Sequence, residues 1–296
     1  MRRFIKRVFG RIGRDGRNAI YYAQDQGNKV MVALHLKSAS PFLVIPDRAA
    51  FSALIPRSSD GLILEIGPLD RPTVSGSDVR YFDICPTEEL RKKAEMNGLD
   101  QLGVPKIDYW EPNGDLGVIT EKFASVVSSH CIEHQPDLVR HLQKVERLLL
   151  DDGRYFLVIP DKRYCFDHYL PESRLSEVVR AFDEERHTPN LYSVLEHRAL
   201  VTGNDPAHHW RGEHGLRYSE LKSRWQSAAE EYANAHGAYI DVHIWQFTPE
   251  SFVAMVEGLF QLGLINFTVE KIFSTPRNQL EFFCILQKSE VMQRAL

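Results

Sequence analysis

Gly61-Leu62-Ile63-Leu64-Glu65-Ile66-Gly67-Pro68 is the stretch that decides the fold of this chain. An apolar run ends in an acid and then a glycine turn. A further acid, Asp83, closes the next apolar segment. That order reads as the first strand, nucleotide loop and second strand of a doubly wound α/β sheet. After Gly67 come Pro68, Leu69, Asp70, Arg71 and Pro72, so the G-x-G-x-x-G that cradles a pyrophosphate is absent. The loop suits a ligand that carries an adenosine but no phosphate.

Outward from this stretch, strand and helix signals alternate. The strand signals fall at 62–66, 79–82, 106–109, 124–128 and 155–159. Helix signals fall at 87–96, where Thr87 reads as the cap, and at 136–150. The second stops at Asp151-Asp152-Gly153, where glycine can take the left-handed closing turn. After Pro160 the rhythm breaks into a long polar stretch rich in His, Trp and Tyr. It resumes with a strand signal at 241–245 and a helix opened by Thr248-Pro249-Glu250. Strand signals at 267–273 and 280–287 read as a closing antiparallel hairpin. The expected fold is Rossmann-like: a doubly wound, mostly parallel seven-stranded sheet. It carries a helical N-terminal extension and a helical and loop insertion after strand 5. The expected boundaries are 1–59 for the basic extension and 60–288 for the main domain. Residues 161–240 form a cap within that domain, and 289–296 a tail.

Composition narrows the function. The chain has 296 residues, 43% hydrophobic and 26% charged, enough to bury a full core. A formal charge of −4 gives no sign of nucleic-acid binding. Cys85, Cys131, Cys165 and Cys284 are far apart with no C-x-x-C pair, which reads as reduced thiols in a cytoplasmic protein. No apolar run nears the ~20 residues that span a bilayer. The first residues lack the apolar core of a secretory signal. Arg2, Arg3, Lys6, Arg7, Arg11, Arg14 and Arg17 alternate at helical spacing with Phe4, Ile5, Val8, Phe9 and Ile12. Such a helix either packs by its apolar stripe or makes a peripheral contact, with the inner face of a membrane or with a protein.

The carboxyl ends of the strands should carry the ligand. Glu65, Gly67 and Pro68 form the first loop, and Asp83 is placed to accept from ribose hydroxyls. Asp115 and Leu116 follow the third strand, where the Asp115 carboxylate could read an adenine amino group. Ser129 and His130 follow the fourth, beside the rest of the ligand. A single acid at a strand tip is often a turn residue, but three after consecutive strands form a pattern. S-adenosylmethionine is the ligand that fits this pattern.

The order E-I-G-P, Asp83, G-D-L, S-S-H-C-I-E-H and L-L-L-D-D-G-R-Y-F-L-V-I-P resembles the class I S-adenosylmethionine-dependent methyltransferases. It is similar in particular to the bacterial branch found with surface-polysaccharide and glycan synthesis. Residues 159–167 (I-P-D-K-R-Y-C-F-D) and 243–252 (H-I-W-Q-F-T-P-E-S-F) resemble strings of that branch. The resemblance spans roughly 60–288. It implies an enzyme that methylates an oxygen of a sugar in a glycan or nucleotide-sugar. A small metabolite is the other acceptor, and a non-catalytic scaffold in a glycan-assembly complex is the reading of another class. A nicotinamide dehydrogenase is disfavoured by the missing glycines. An oxygen acceptor needs a base, and His130, His243 and His197 are the candidates. His134 reads as a structural hydrogen-bonder. Lys162, Arg163 and Tyr164 could hold an acceptor's anionic group, and Trp210 and Trp245 could stack on a sugar or pack in the cap. His197, His208, His209, Glu213 and His214 could ligate a cation, but adjacent His208 and His209 point apart and no metal is expected.

Overall fold

The computed structural model describes residues 42–57 and 61–289, together with backbone strands at 8–12, 19–25 and 28–33. The chain forms two compact units, Met1–Phe42 and Leu43–Leu296. In the first, β1 (Val8–Ile12), β2 (Ala19–Asp25) and β3 (Asn28–Ala33) make an antiparallel sheet in that order. The helix expected over these first residues is therefore corrected at 8–12. Gly10 disfavours a helix interior, while Ile20, Tyr21, Tyr22, Val30 and Val32 supply the β-branched and aromatic residues that suit pairing strands. The remaining positions of that basic stretch, 1–7 and 13–17, lie outside the described residues, as do 290–296 of the expected tail.

The second unit is built on seven strands. They are β4 (Ile63–Ile66), β5 (Val79–Asp83), β6 (Tyr109–Trp110), β7 (Phe123–Ser129), β8 (Leu149–Pro160), β9 (Phe267–Phe273) and β10 (Glu281–Lys288). Their order is β6-β5-β4-β7-β8-β10-β9. The strands from β6 to β8 pair in parallel, and β10 runs antiparallel to both neighbours. This is the doubly wound Rossmann-like sheet, with the expected antiparallel hairpin at its edge. The chain reverses direction between β4 and β7, which opens a crevice at the carboxyl ends of these strands.

Alternate strand residues feed two apolar layers. Leu64, Val126, Tyr155 and Leu157 pack with α3 (Leu138–Leu148) and α8 (Pro249–Gln261); Ile63, Val127, Phe156 and Val158 pack with α1 (Arg48–Ser52) and α2 (Thr87–Met96). Parallel strands covered on both faces read as unbroken apolar runs, and all four residues of β4 are buried. The insertion is helical: α4 (Leu175–Asp183), α5 (Leu191–Leu200), α6 (Pro206–Trp210) and α7 (Leu221–Asn234). Val178, Ala181 and Val194 tie α4 and α5 into the α3 layer. Among the described residues no helix is long and apolar enough to cross a membrane.

Several local expectations are corrected. The third strand is only Tyr109–Trp110, because Asp108 turns back to accept from the Tyr81 amide at 3.0 Å. Residues 241–245 form no strand. They are an extended segment whose Ile244 and Trp245 amides both donate to the Glu133 carbonyl, at 2.8 and 3.1 Å. Thr87 does not cap α2. Pro86 is the N-cap, and Thr87 Oγ1 instead accepts from the Ile107 amide at 2.9 Å. Nor does Gly153 close α3, which ends at Leu148 and leads straight into β8. A Cβ at Gly153 would sit 2.8 Å from that of Leu149, so the glycine serves a close approach inside the strand. At α8, Thr248 caps as read, its hydroxyl accepting from the Ser251 amide, with Pro249 in the first turn.

Candidate functional site

The loop after β4 bends because Gly67 takes a left-handed φ of +68° and its amide donates to the Phe82 carbonyl at 2.9 Å. Leu69, standing where a glycine is usual, is also left-handed at φ +43°. A branched side chain held there is strained by about 1–2 kcal/mol, a cost seen most often beside ligand sites. Pro68 lies between these two turns. Glu65 points beneath the loop and accepts from the Thr73 and Val74 amides at 2.6 and 3.1 Å. Its burial outweighs those amides and pushes the carboxyl up to about 7. Glu65 therefore shapes the loop from below.

Asp83 ends β5 beside that turn. Its carboxylate accepts from the Ile84 amide at 2.7 Å, and burial raises its pKa. Asp115 behaves differently. It caps a single 3-10 turn (Leu116–Val118), accepts from the Gly117 amide at 2.7 Å and pairs with Lys144 at 2.9 Å. Those contacts turn its carboxylate toward α3, while Leu116 sinks into the core.

Ser129 ends β7, and the chain then kinks at His130, φ +49°. His130 Nε2 donates to Glu281 Oε2 at 2.8 Å, and Glu281 also accepts from Arg48 of α1 at 2.9 and 2.5 Å. Burial alone would raise the Glu281 carboxyl, but the hydrogen bonds from His130 and Arg48 prevail and hold it at about 2. Glu281 sits here because β10 runs antiparallel, which puts its first residue at the carboxyl edge of the parallel strands.

Two of the three base candidates, His130 and His243, gather with His134 around Glu133, in the short turn Ile132–His134 after β7. His130 Nδ1 lies 3.7 Å from Glu133 Oε1, His134 Nε2 3.9 Å and His243 Nε2 3.8 Å. His243 Nδ1 donates to Asp167 at 2.6 Å. His134 Nδ1 lies 2.9 Å from Asp241, and their opposite charges hold the His134 pKa up against burial. His197 of α5 has its ring 5.7 Å from that of His243, and burial drops its pKa to about 4. Cys131 is no nucleophile, since burial pushes its thiol up to about 12.

Of the expected acceptor residues, Trp245 lies at this cluster, with its amide on the Glu133 carbonyl and its side chain among those lining the cleft beside His243, and the others do not converge on it. Arg163 forks onto Asp161 at 2.9 and 2.6 Å, and Lys162 donates to the His168 carbonyl. Tyr164 stacks flat on Trp210, with ring centres 4.0 Å apart, so that indole face is already covered. Trp245 is buried and its indole N–H donates to the Gln135 carbonyl at 2.7 Å. A cleft of about 510 Å³ opens near His243, lined also by Glu172, Arg174, Tyr192, Glu196 and Gln246. Reasoning from sequence assigned no role to Glu133, Asp167, Glu281 or Arg48. Glu133 and Asp167 stand inside quoted strings, and that was the available signal. Arg48 and Glu281 carried none.

No protein-family model matches the chain, and no curated protein matches it. Among solved structures it is similar to the mitomycin 7-O-methyltransferase MmcR, with 12% identity and a TM-score of 0.39. That match covers 82% of this chain and 53% of the other. It is similar to the trans-methyltransferase CalH in complex with SAH, with 15% identity, TM-score 0.37 and coverage of 81% and 55%. The magnesium protoporphyrin IX methyltransferase of Synechocystis PCC 6803 with bound SAH shows 11% identity, TM-score 0.34 and coverage of 77% and 74%. The chain spans about half the length of the first two. At these values the likeness adds nothing beyond the fold already read from the strand order.

Proposed function

We propose that the protein is an S-adenosylmethionine-dependent methyltransferase that methylates an oxygen of a sugar, in a glycan or a nucleotide-sugar. The observation that supports this reading is the placing of Gly67, Asp83 and His130 at the carboxyl ends of three adjacent parallel strands, where the sheet reverses direction. A tight left-handed turn without a phosphate cradle, next to a buried carboxylate, fits an adenosine. Asp83 would hold the ribose hydroxyls, and Gly67, Pro68 and Ser129 would flank the amino-acid end. The bound cofactor supplies an electrophilic methyl on a sulfonium. The protein's part is to align the acceptor, exclude water and take the acceptor's proton.

His130 suits the last task best. Glu281 fixes its ring and keeps the proton on Nε2, so Nδ1 is the nitrogen that accepts. A sugar acceptor is favoured by the cleft beside His243, whose carboxylates, guanidinium, amide and phenol suit many hydroxyls. The test is incubation with the cofactor and panels of glycans, nucleotide-sugars and small phenols, read by mass spectrometry. The proposal expects a one-methyl gain on a sugar together with release of the demethylated cofactor. A gain only on other metabolites would correct the acceptor class. Failure to bind the cofactor would favour the scaffold reading.

A further inference from the structure

We propose that Glu133, His134 and His243 form a site for a divalent transition-metal cation of the zinc or manganese class. No metal was expected in this chain, but three features of this cluster point to one. None of them depends on the methyl-transfer reading.

The first observation is an unpartnered carboxylate. Glu133 is 0% exposed, and among the described residues neither of its oxygens has a hydrogen-bond partner. Leaving a carboxylate bare in the interior is strongly unfavourable, as when one partner of a buried ion pair is removed. No nearby group closes onto it. His130 Nδ1 and the His134 and His243 Nε2 atoms stop at 3.7, 3.9 and 3.8 Å, too far for a hydrogen bond. Such a gap suits an ion between the groups. Ligands held at about 2.1 Å around a tetrahedral cation stand about 3.4 Å apart, so each histidine need approach the Glu133 oxygen by only a few tenths of an ångström, and all three ligand atoms lie within 4.8 Å of one another.

The second observation is the backing of the histidines. His243 donates Nδ1–H to Asp167 at 2.6 Å, while His134 Nδ1 lies 2.9 Å from Asp241 without hydrogen-bond geometry. The carboxylate behind His243 Nδ1 places the proton there and leaves its Nε2 with a free lone pair, as in metal-bound histidines, and Asp241 gives His134 the same charge backing. Both Nε2 atoms face the same Glu133 oxygen. The third is the way the chain brings the ligands together. Glu133 and His134 share one short turn, and the backbone carbonyl of Glu133 accepts from Ile244 and Trp245, which pins His243 beside them.

Two histidines and one carboxylate suit zinc, manganese or iron, and leave room for an oxygen of a bound molecule. A second histidine group, His168, His209 and His214, has no carboxylate among its possible ligands and so no bare charge that calls for a cation. There His209 is bonded to the Gly203 carbonyl and to His214, and His168 is bonded to the Arg163 carbonyl and stacked on His214 at 3.5 Å.

The full chain, purified without chelator and then reconstituted, should carry one equivalent of zinc or manganese by elemental analysis. Stripping with EDTA should lower Tm, and adding either metal should restore it. Glu133→Gln removes the bare charge. That variant should therefore fold with a Tm at or above that of the stripped wild type, and show no rise with metal. Cobalt provides an optical readout. Its visible ligand-field bands should form with wild type and with His209→Gln and vanish in His243→Gln. If His243→Gln does not fold, the metal content and the Glu133→Gln melting curve still decide. Substoichiometric metal with no Tm response would overturn the proposal. So would cobalt bands that survive in His243→Gln and vanish in His209→Gln. Calorimetry of S-adenosylmethionine on the stripped protein reports on the cofactor independently, so failure of one reading is not failure of the other.

Discussion

Glu281 and His130 lie 151 residues apart in sequence, yet their side chains meet at 2.8 Å across the carboxyl edge of the sheet. The antiparallel course of β10 makes this meeting possible. The contact ties the last strand to the residue that follows β7, the place proposed for proton removal. Glu281→Gln keeps the shape but releases the ring tautomer and weakens the grip on Arg48. Turnover should fall by roughly 10²-fold, within the range for general-base assistance. Cofactor affinity should stay within about twofold. Equal losses in both quantities would place Glu281 in binding instead.

Asp83→Ala should weaken S-adenosylmethionine binding by roughly 10- to 100-fold, the effect of one or two hydrogen bonds to a carboxylate. The melting temperature of the ligand-free protein should stay near wild type, because burial already disfavours the charged form of Asp83. A large Tm drop with unchanged affinity would make Asp83 a structural residue.

Much of this frame was legible before the structure. The 61–68 stretch gave β4 and its turn because a doubly covered parallel strand must be continuously apolar. Thr248-Pro249-Glu250 located the start of α8 because capping is local chemistry. The 241–245 segment misled, since Val242 and Ile244 are buried as strand residues would be. The Ile244 and Trp245 amides bond instead to Glu133, in a turn more than a hundred residues away. Asp115 misled for a similar reason. Its position after the third strand was right, but Lys144 on α3 claims its carboxylate. Arg48 and Glu281 were invisible because their pairing depends on tertiary proximity.

Stability should respond to pH through Glu65. Its folded pKa of about 7 exceeds the ordinary 4.5, so the folded state binds the proton more tightly than the unfolded chain. The stabilisation is therefore fully present below pH 4.5 and is lost as pH rises toward 7. It amounts to roughly 3 kcal/mol at most. Thermal melts from pH 4.5 to 7.5 should show this decline in the wild type and a flatter profile in Glu65→Gln. Identical slopes would remove Glu65 as its source.

Phe51 links packing to the site. Its ring stacks on Phe283 at 4.8 Å and meets Phe156 and Phe273 at 5.9 Å, holding α1 and hence Arg48 in place. Phe51→Ala should cost about 3–5 kcal/mol in chemical denaturation. Turnover of the fraction still folded should also fall, because Arg48 then no longer braces Glu281. Normal turnover per folded molecule would uncouple α1 from the site.

The central claim is an adenosine-sulfonium site at the carboxyl edge between β4, β5 and β7. Isothermal titration of the full-length protein with S-adenosylmethionine and with its demethylated product tests it most directly. The account predicts saturable one-to-one binding of both, weakened in Asp83→Ala. No detectable heat with either ligand, on protein shown to be folded, would contradict it.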